Sequence, residues 1–382
     1  MPDHDLENFM LEKYPLEQLV EPLLEWYNHH ARVLPWRNTH DPYQIWVSEI
    51  MLQQTRVEAV KKYFERFIKA LPDVSALAEC EEGRLLKLWE GLGYYNRVRN
   101  MQAAAQTIMQ QYGGTIPDAY EELLKLKGIG HYTAGAIASI AYNRPVPAVD
   151  GNVLRILMRV AEDESDIAKQ SVKVMAEKQL LPVIPKGNAG KFTQALMELG
   201  AIVCVPNGEP KCAQCPWHLC CLAFQHGTYM YLPVKGKSKP RIIEEKTVLL
   251  ICDGEKVLLH QRPKEGLLAG MYEFPNTPGH LSREEVARYV EGMKLEPLRI
   301  EQIEAAKHIF SHKEWHMTGY MVHIAQLEDE KTGKTGYVFA EAADSEEKYA
   351  IPSAFAKYAR CLNIRLGSER NAANTSIGNV KV

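Results

Sequence analysis

The stretch that constrains this chain most runs over residues 126–142, with residues 149–155 close behind. A helical pattern over residues 119–126 breaks at Gly128-Ile129-Gly130, and a second, mostly apolar helical pattern starts at once with His131-Tyr132-Thr133-Ala134. Glycines at Gly128 and Gly130 permit positive φ and expose backbone N–H groups at the start of the second helix. Such a helix start suits a phosphate, because unpaired donors and the helix dipole both point at it. An ordinary helical hairpin with glycine caps would read the same way.

The chain has 382 residues, enough for two domains with separate cores. No apolar run approaches the roughly 20 residues of a membrane span. The acidic start (Asp3, Asp5, Glu7) does not read as a secretory signal. The expectation is a cytoplasmic protein with no membrane partner. A formal net charge of −3 argues mildly against nucleic acid, although a DNA reader can carry its basic footprint as a local stripe. Residues 84–99 and 235–241 are candidates for one. Five of the eight cysteines fall between Cys204 and Cys221, while Cys80, Cys252 and Cys361 stand alone. Without a secretory signal, such a cluster reads as metal binding rather than disulfides.

Residues 1–14 read as a loose arm. From residue 16 to 203 the apolar spacing is helical almost throughout, with breaks implying roughly ten short helices. An all-α domain over residues 1–226 is expected, with the hairpin at 119–142 and the cysteine loop at 204–221. Residues 227–245 read as a linker with Pro233, Gly236 and Pro240. Residues 246–365 read as an α+β domain, with strands at 248–251, 256–260 and 318–326 and a helix at 282–293. The polar residues 366–382 read as a disordered tail.

Within residues 42–55, Glu49 is the only acid, flanked by Trp46, Val47, Ile50, Met51 and Leu52. A carboxyl held among apolar side chains has its charged form disfavoured, which raises its pKa and suits a general acid. A glutamate on the one wet face of a buried helix is the plainer alternative. Asp150 precedes an apolar-periodic helix as a good N-cap. A helix N-terminus is expected to lower its pKa and keep it ionised while Glu49 is poised to protonate.

These segments together resemble a known family. Gly-Ile-Gly-His-Tyr-Thr-Ala followed by Val-Asp-Gly-Asn-Val, and Trp-Val-Ser-Glu-Ile-Met-Leu-Gln-Gln-Thr, are similar to the endonuclease III-like DNA glycosylases, most of all the MutY-type adenine glycosylases. The family usually has proline where this chain has Lys127. The resemblance implies an all-α helix-hairpin-helix catalytic domain followed by an α+β Nudix-like domain. It implies excision of adenine opposite 8-oxoguanine or guanine in double-stranded DNA by a nucleoid-associated monomer. Glu49 would then protonate the departing base, Asp150 stabilise the sugar cation, and Tyr132 lie close to both. Relatives that also cut the strand carry lysine at the position of Tyr132, so no efficient lyase step is expected.

By the same resemblance Arg32, Trp36, Arg37 and Gln194 form an adenine pocket. Gln54, Leu92 and Tyr94 enter the duplex, and Gly128 and Gly130 face a backbone phosphate, with room for a cation at the hairpin. Cys204-x7-Cys212-x2-Cys215-x5-Cys221 matches a [4Fe–4S] signature with one extra residue in its first gap. Zinc also accepts four thiolates. Cys220 is a spare ligand, and the spacing favours Cys221. The helix beginning at Arg283-Glu284-Glu285 lacks the later Glu-Glu pair of a pyrophosphatase, which leaves a binding role. There Phe310, Ser311 and His312 would read the oxidised guanine. Two alternatives stay open: a bifunctional pyrimidine-lesion glycosylase, against which Tyr132 speaks, and a non-catalytic mismatch-binding protein, against which Glu49 and Asp150 speak together.

Overall fold

The structure is a computed structural model describing residues 9–236, 240–254, 256–325 and 336–367. It divides into two compact units, Met1–Ala78 with Asn100–Lys237, and Glu79–Arg99 with Ser238–Val382. Among the described residues, no helix is long and apolar enough to cross a membrane.

The first unit is helical. The helix Pro42–Leu52 buries Tyr43 and every residue from Ile45 to Met51, so it runs through the interior rather than along a surface. Asp41 caps it, accepting from the Tyr43 N–H at 2.9 Å, and Pro42 sits in its first turn. It packs on the helix His131–Ile140, buried from Thr133 to Ile140. The helix Ala189–Ile202 packs on His131–Ile140, on Val20–His30 and on Gly151–Ala161. Close approach depends on small residues. A Cβ on Gly135 would fall 2.0 Å from the Pro147 carbonyl oxygen, and one on Gly190 would fall 2.7 Å from the Ser139 carbonyl oxygen. The first of these contacts sets the chain leading to Asp150.

Among the described residues, the second unit holds a seven-stranded mixed sheet: β1 (Ile242–Cys252), β2 (Lys256–Gln261), β3 (Tyr272–Glu273), β4 (Asn276–Pro278), β5 (Pro297–Ile309), β6 (Lys313–Ile324) and β7 (Tyr337–Glu341). The order is β3-β2-β1-β6-β5, with β4 on β1 and β7 on β2. β1 and β6 run parallel and in register from Ile242↔Lys313 to Cys252↔His323. The unbroken apolar run Val248-Leu249-Leu250-Ile251 has a simple cause. Val248 and Leu250 join the core on one face with Trp315 and Phe355, while Leu249 and Ile251 join the other with Val286 and Val290. The helix Arg283–Gly292 covers that second face behind a Ser282–Glu285 capping box, so Glu285 is engaged at the helix start.

Three expectations need correction. Residues 9–14 are not a loose arm: Phe9 and Leu11 are buried, and the Leu11 N–H donates to Asp163 at 3.0 Å. β1 begins at Ile242, inside the expected linker, and Val234 accepts a backbone bond from Ile167 at 3.1 Å. Leu366 is buried, while residues 368–382 of the expected tail lie outside the described residues.

Gly135→Ala should destabilise the protein by about 1–3 kcal/mol, the usual cost of overpacking. Urea unfolding would measure it, and a change below about 0.5 kcal/mol would contradict the tight helix crossing.

Candidate active site and cysteine centre

Four helices and one turn of the first unit deliver their polar groups to a cavity of about 880 Å³. Glu49 comes from the central helix, Tyr132 from the first turn after the hairpin, and Asp150 from the N-cap of Gly151–Ala161. Trp36 and Arg37 come from the turn Pro35–Arg37. All five line the cavity, together with Arg32, Gln54, Gln194 and Glu198.

Glu49 is 5% exposed, and the Tyr132 hydroxyl donates to its Oε2 at 2.5 Å. Burial pushes the Glu49 carboxyl up to about 7 and the nearby Asp150 charge adds to that, against the opposing pull of the Tyr132 bond and Arg37. Burial, with the charge of Glu49 next, raises the Tyr132 phenol well above its ordinary value and keeps it a neutral donor.

Asp150 accepts from the Asn152 and Val153 N–H groups at 2.9 and 2.8 Å, and Asn152 Nδ2 donates to its other oxygen at 2.8 Å. The cap is as expected, but the net direction of its pKa is not. Burial raises the Asp150 carboxyl above its ordinary value, and the three donors offset that only in part. From Asn152 the network continues. Arg155 donates to Asn152 Oδ1 at 2.9 Å and to the Cys204 carbonyl at 2.9 Å, which ties the Asp150 helix to the cysteine loop.

Glu198 is the residue that the sequence reading missed. Fully buried, it accepts from Arg32 Nε and Nη2 at 2.8 Å each, from the Arg32 N–H at 2.9 Å and from Arg37 Nη2 at 2.6 Å. Burial pushes its carboxyl up, but the two guanidinium groups outweigh that and hold it down at about 2. The signal was present: Glu198 lies four residues after Gln194 on a mostly apolar helix, hence on the same face. The two arginines are therefore committed to Glu198 rather than aimed as a pair at a ligand. Gln194 is fixed by the Tyr27 hydroxyl, which donates to its Oε1 at 2.7 Å. Trp36 is buried edge-on against Phe64, both core anchor and cavity wall. Gln54 lines the rim with φ +58°, a left-handed backbone uncommon outside glycine.

At the hairpin only Gly128 takes positive φ, at +80°, and its missing Cβ would lie 2.6 Å from Asn100 Cβ. Gly130 is extended and forms the N-cap of His131–Ile140 without a side-chain bond. A second cavity, of about 30 Å³, is lined by Cys204, Cys212, Cys215 and Cys221 among Pro210, Trp217, Phe224 and Tyr229. Arg159 Nη1 donates to Cys204 Sγ at 3.2 Å, whereas Cys220 Sγ donates to the Trp217 carbonyl at 3.4 Å. Among the described residues, no group of three or more His, Cys, Asp and Glu side chains is placed to hold a metal ion.

In the second unit, Leu92 is buried and Tyr94 is 50% exposed at φ +48°. Ser311 and His312 are exposed on the β5–β6 turn, 3.3 Å apart. Phe310 is half-buried with its ring edge-on to His308 and Trp315, so it belongs partly to the core.

Residues 47–182 match the family described as "HhH-GPD superfamily base excision DNA repair protein", and residues 247–360 match the NUDIX domain. The adenine DNA glycosylase of Buchnera aphidicola subsp. Baizongia pistaciae is 32% identical over 294 residues, covering 76% of this chain and 82% of its own. That of Buchnera aphidicola subsp. Schizaphis graminum is 30% identical over 329 residues, covering 85% of this chain and 92% of its own. Among solved structures, a thermostable thymine-DNA glycosylase is similar at 27% identity with a TM-score of 0.49, over 55% of this chain and 96% of its own. A helix-hairpin-helix domain followed by a Nudix domain, in one chain with relatives of this extent, settles the assignment: the protein belongs to the adenine DNA glycosylases, hydrolases of the N-glycosyl bond.

Proposed function

We propose that this enzyme removes adenine paired with 8-oxoguanine or guanine in duplex DNA and leaves the sugar strand intact. One observation carries the chemistry: Glu49, buried, bonded by Tyr132 and shifted to about 7, shares a cavity with Asp150. A flipped adenine enters that cavity between the Trp36 wall and the Gln194 amide. The Glu49 carboxyl gives its proton to the base, the C1′–N9 electron pair leaves with adenine, and the Asp150 carboxylate faces the resulting sugar cation. Water adds to C1′ and returns its proton to Glu49. Tyr132 orients the Glu49 carboxyl and, as a phenol, supplies no amine for a Schiff base.

The aromatic Tyr94, exposed on a strained turn, enters the base stack where the adenine leaves, which offsets part of the unstacking cost. Ser311 and His312 present hydrogen-bonding groups to the opposite base. A [4Fe–4S] cluster held by Cys204, Cys212, Cys215 and Cys221 is supported by their common apolar cavity, by the Arg159 bond to Cys204 and by Cys220 pointing elsewhere. When bound, the cluster cross-links the loop through its metal–sulfur bonds.

Single-turnover adenine release from a duplex with adenine opposite 8-oxoguanine tests the reading, with strand breaks expected only after alkali. Breaks without alkali would indicate lyase chemistry, and no release would indicate a mismatch binder. The active form needs Glu49 protonated and Asp150 ionised. The rate should therefore rise on the acid side as Asp150 ionises, then fall as pH increases through about 7. Glu49→Gln should lower the rate by about 10²–10⁴-fold while sparing duplex binding. A rate constant flat to alkaline pH would refute the assignment. Ser311→Ala with His312→Ala should slow 8-oxoguanine pairs about tenfold more than guanine pairs, the worth of one or two net hydrogen bonds. Equal losses would remove the reading role.

A further inference from the structure

The turn Gly91-Leu92-Gly93-Tyr94-Tyr95 lies in the N-terminal half of the sequence, yet it belongs to the same compact unit as the C-terminal sheet. The residue before it, Glu90, is 1% exposed, although a free glutamate seeks water. Its Oε1 accepts from the Ile351 N–H at 2.9 Å and from Lys87 Nζ at 3.0 Å; its Oε2 accepts from the Gly367 N–H at 3.1 Å. Lys87 Nζ reaches further, donating to the Ser345 carbonyl at 3.1 Å and the Tyr349 carbonyl at 2.7 Å. Lys87 of the helix Glu82–Trp89 and Glu90, which ends it, thus hold four points of the segment 345–367.

The turn is stiff beyond this anchor. Gly91, Gly93 and Tyr94 have φ of +99°, +70° and +48°. Arg97 Nη2 donates to the Leu92 and Gly93 carbonyls at 3.0 and 3.1 Å, and Trp89 Nε1 donates to the Gly93 carbonyl at 3.1 Å. A cavity of about 170 Å³ lies against the same point, bounded by Glu90, Gly91, Ile351, Ser353, Arg360 and Leu366. The polar bonds of Glu90 tie the start of the turn directly to residues 351 and 367.

We propose that Glu90 is a positioning residue that makes the Tyr94 turn and the Ser311–His312 turn one rigid body, so that reading the opposite base and entering the stack are mechanically coupled. This rests on the reading given under Proposed function. On that basis the preference for 8-oxoguanine over guanine requires the coupling as well as the base contacts. When Ser311 and His312 bind the opposite base, their unit carries Tyr94 into register. A loosened turn enters either duplex with the same indifference.

The test is a double-mutant cycle on the full-length enzyme, using single-turnover excision of adenine opposite 8-oxoguanine and opposite guanine. Glu90→Gln keeps the shape but presents an amide to N–H donors. It should lower the ratio of the two rates by about tenfold and should raise hydrogen exchange in residues 91–95. Added to the Ser311→Ala/His312→Ala enzyme, it should change the ratio no further. Additive losses, or an unchanged ratio in Glu90→Gln, would overturn the coupling. So would exchange in residues 91–95 equal to that of the parent, and this readout holds even if excision were impaired in some other way. Failure of the parent reading looks different: the parent enzyme would show no preference for 8-oxoguanine, or the Ser311→Ala/His312→Ala enzyme would keep it.

Discussion

The removal of one carboxyl from water governs the active site. Glu49 stands in a helix whose neighbours are almost all apolar, and among the described residues the Tyr132 hydroxyl donates to it. A charged carboxylate in that setting is costly, so the proton stays on near neutral pH. Asp150 shares the cavity but receives three donors from its own helix start. The two acids are separated by the number of donors around them more than by depth, since burial raises both. That difference assigns the proton donor and the anion.

The arginines illustrate the opposite solution. Glu198 is as buried as Glu49, yet two guanidinium groups keep it ionised at about 2. Arg32 and Arg37 thereby become fixed walls beside the cavity instead of loose cations. A compact ion cluster of this kind contributes less to net stability than to geometry, because desolvation offsets much of the attraction. The same economy of polar anchors recurs in the second unit, where Glu90 holds backbone N–H groups from distant parts of the chain.

Much of this was legible in the sequence where local chemistry decides the outcome. Asp150 reads as a cap and is one, Ser282 begins its helix with a capping box, and Val248–Ile251 is apolar throughout because both faces of β1 are covered. What stayed hidden depends on partners far along the chain. β5, mostly exposed and with register shifts between Ile303 and Ala306, shows no clean alternation and was not expected as a strand. Glu198 reads as one more helix residue until Arg32 and Arg37 are seen across from it. Likewise nothing local marks residues 79–99 as part of the C-terminal unit, or Asp150 as buried enough to reverse the effect of its cap.

The central claim is that the fold holds one buried glutamate protonated near neutrality. A ¹³C NMR titration of carboxyl-labelled glutamates in the intact enzyme, with Glu49→Gln for assignment, measures this without relying on turnover. The account predicts one glutamate resonance that titrates near pH 7 and vanishes in the variant. If the resonance lost in Glu49→Gln titrates instead near the ordinary glutamate value of about 4.3, Glu49 is ionised at neutral pH and cannot serve as the acid.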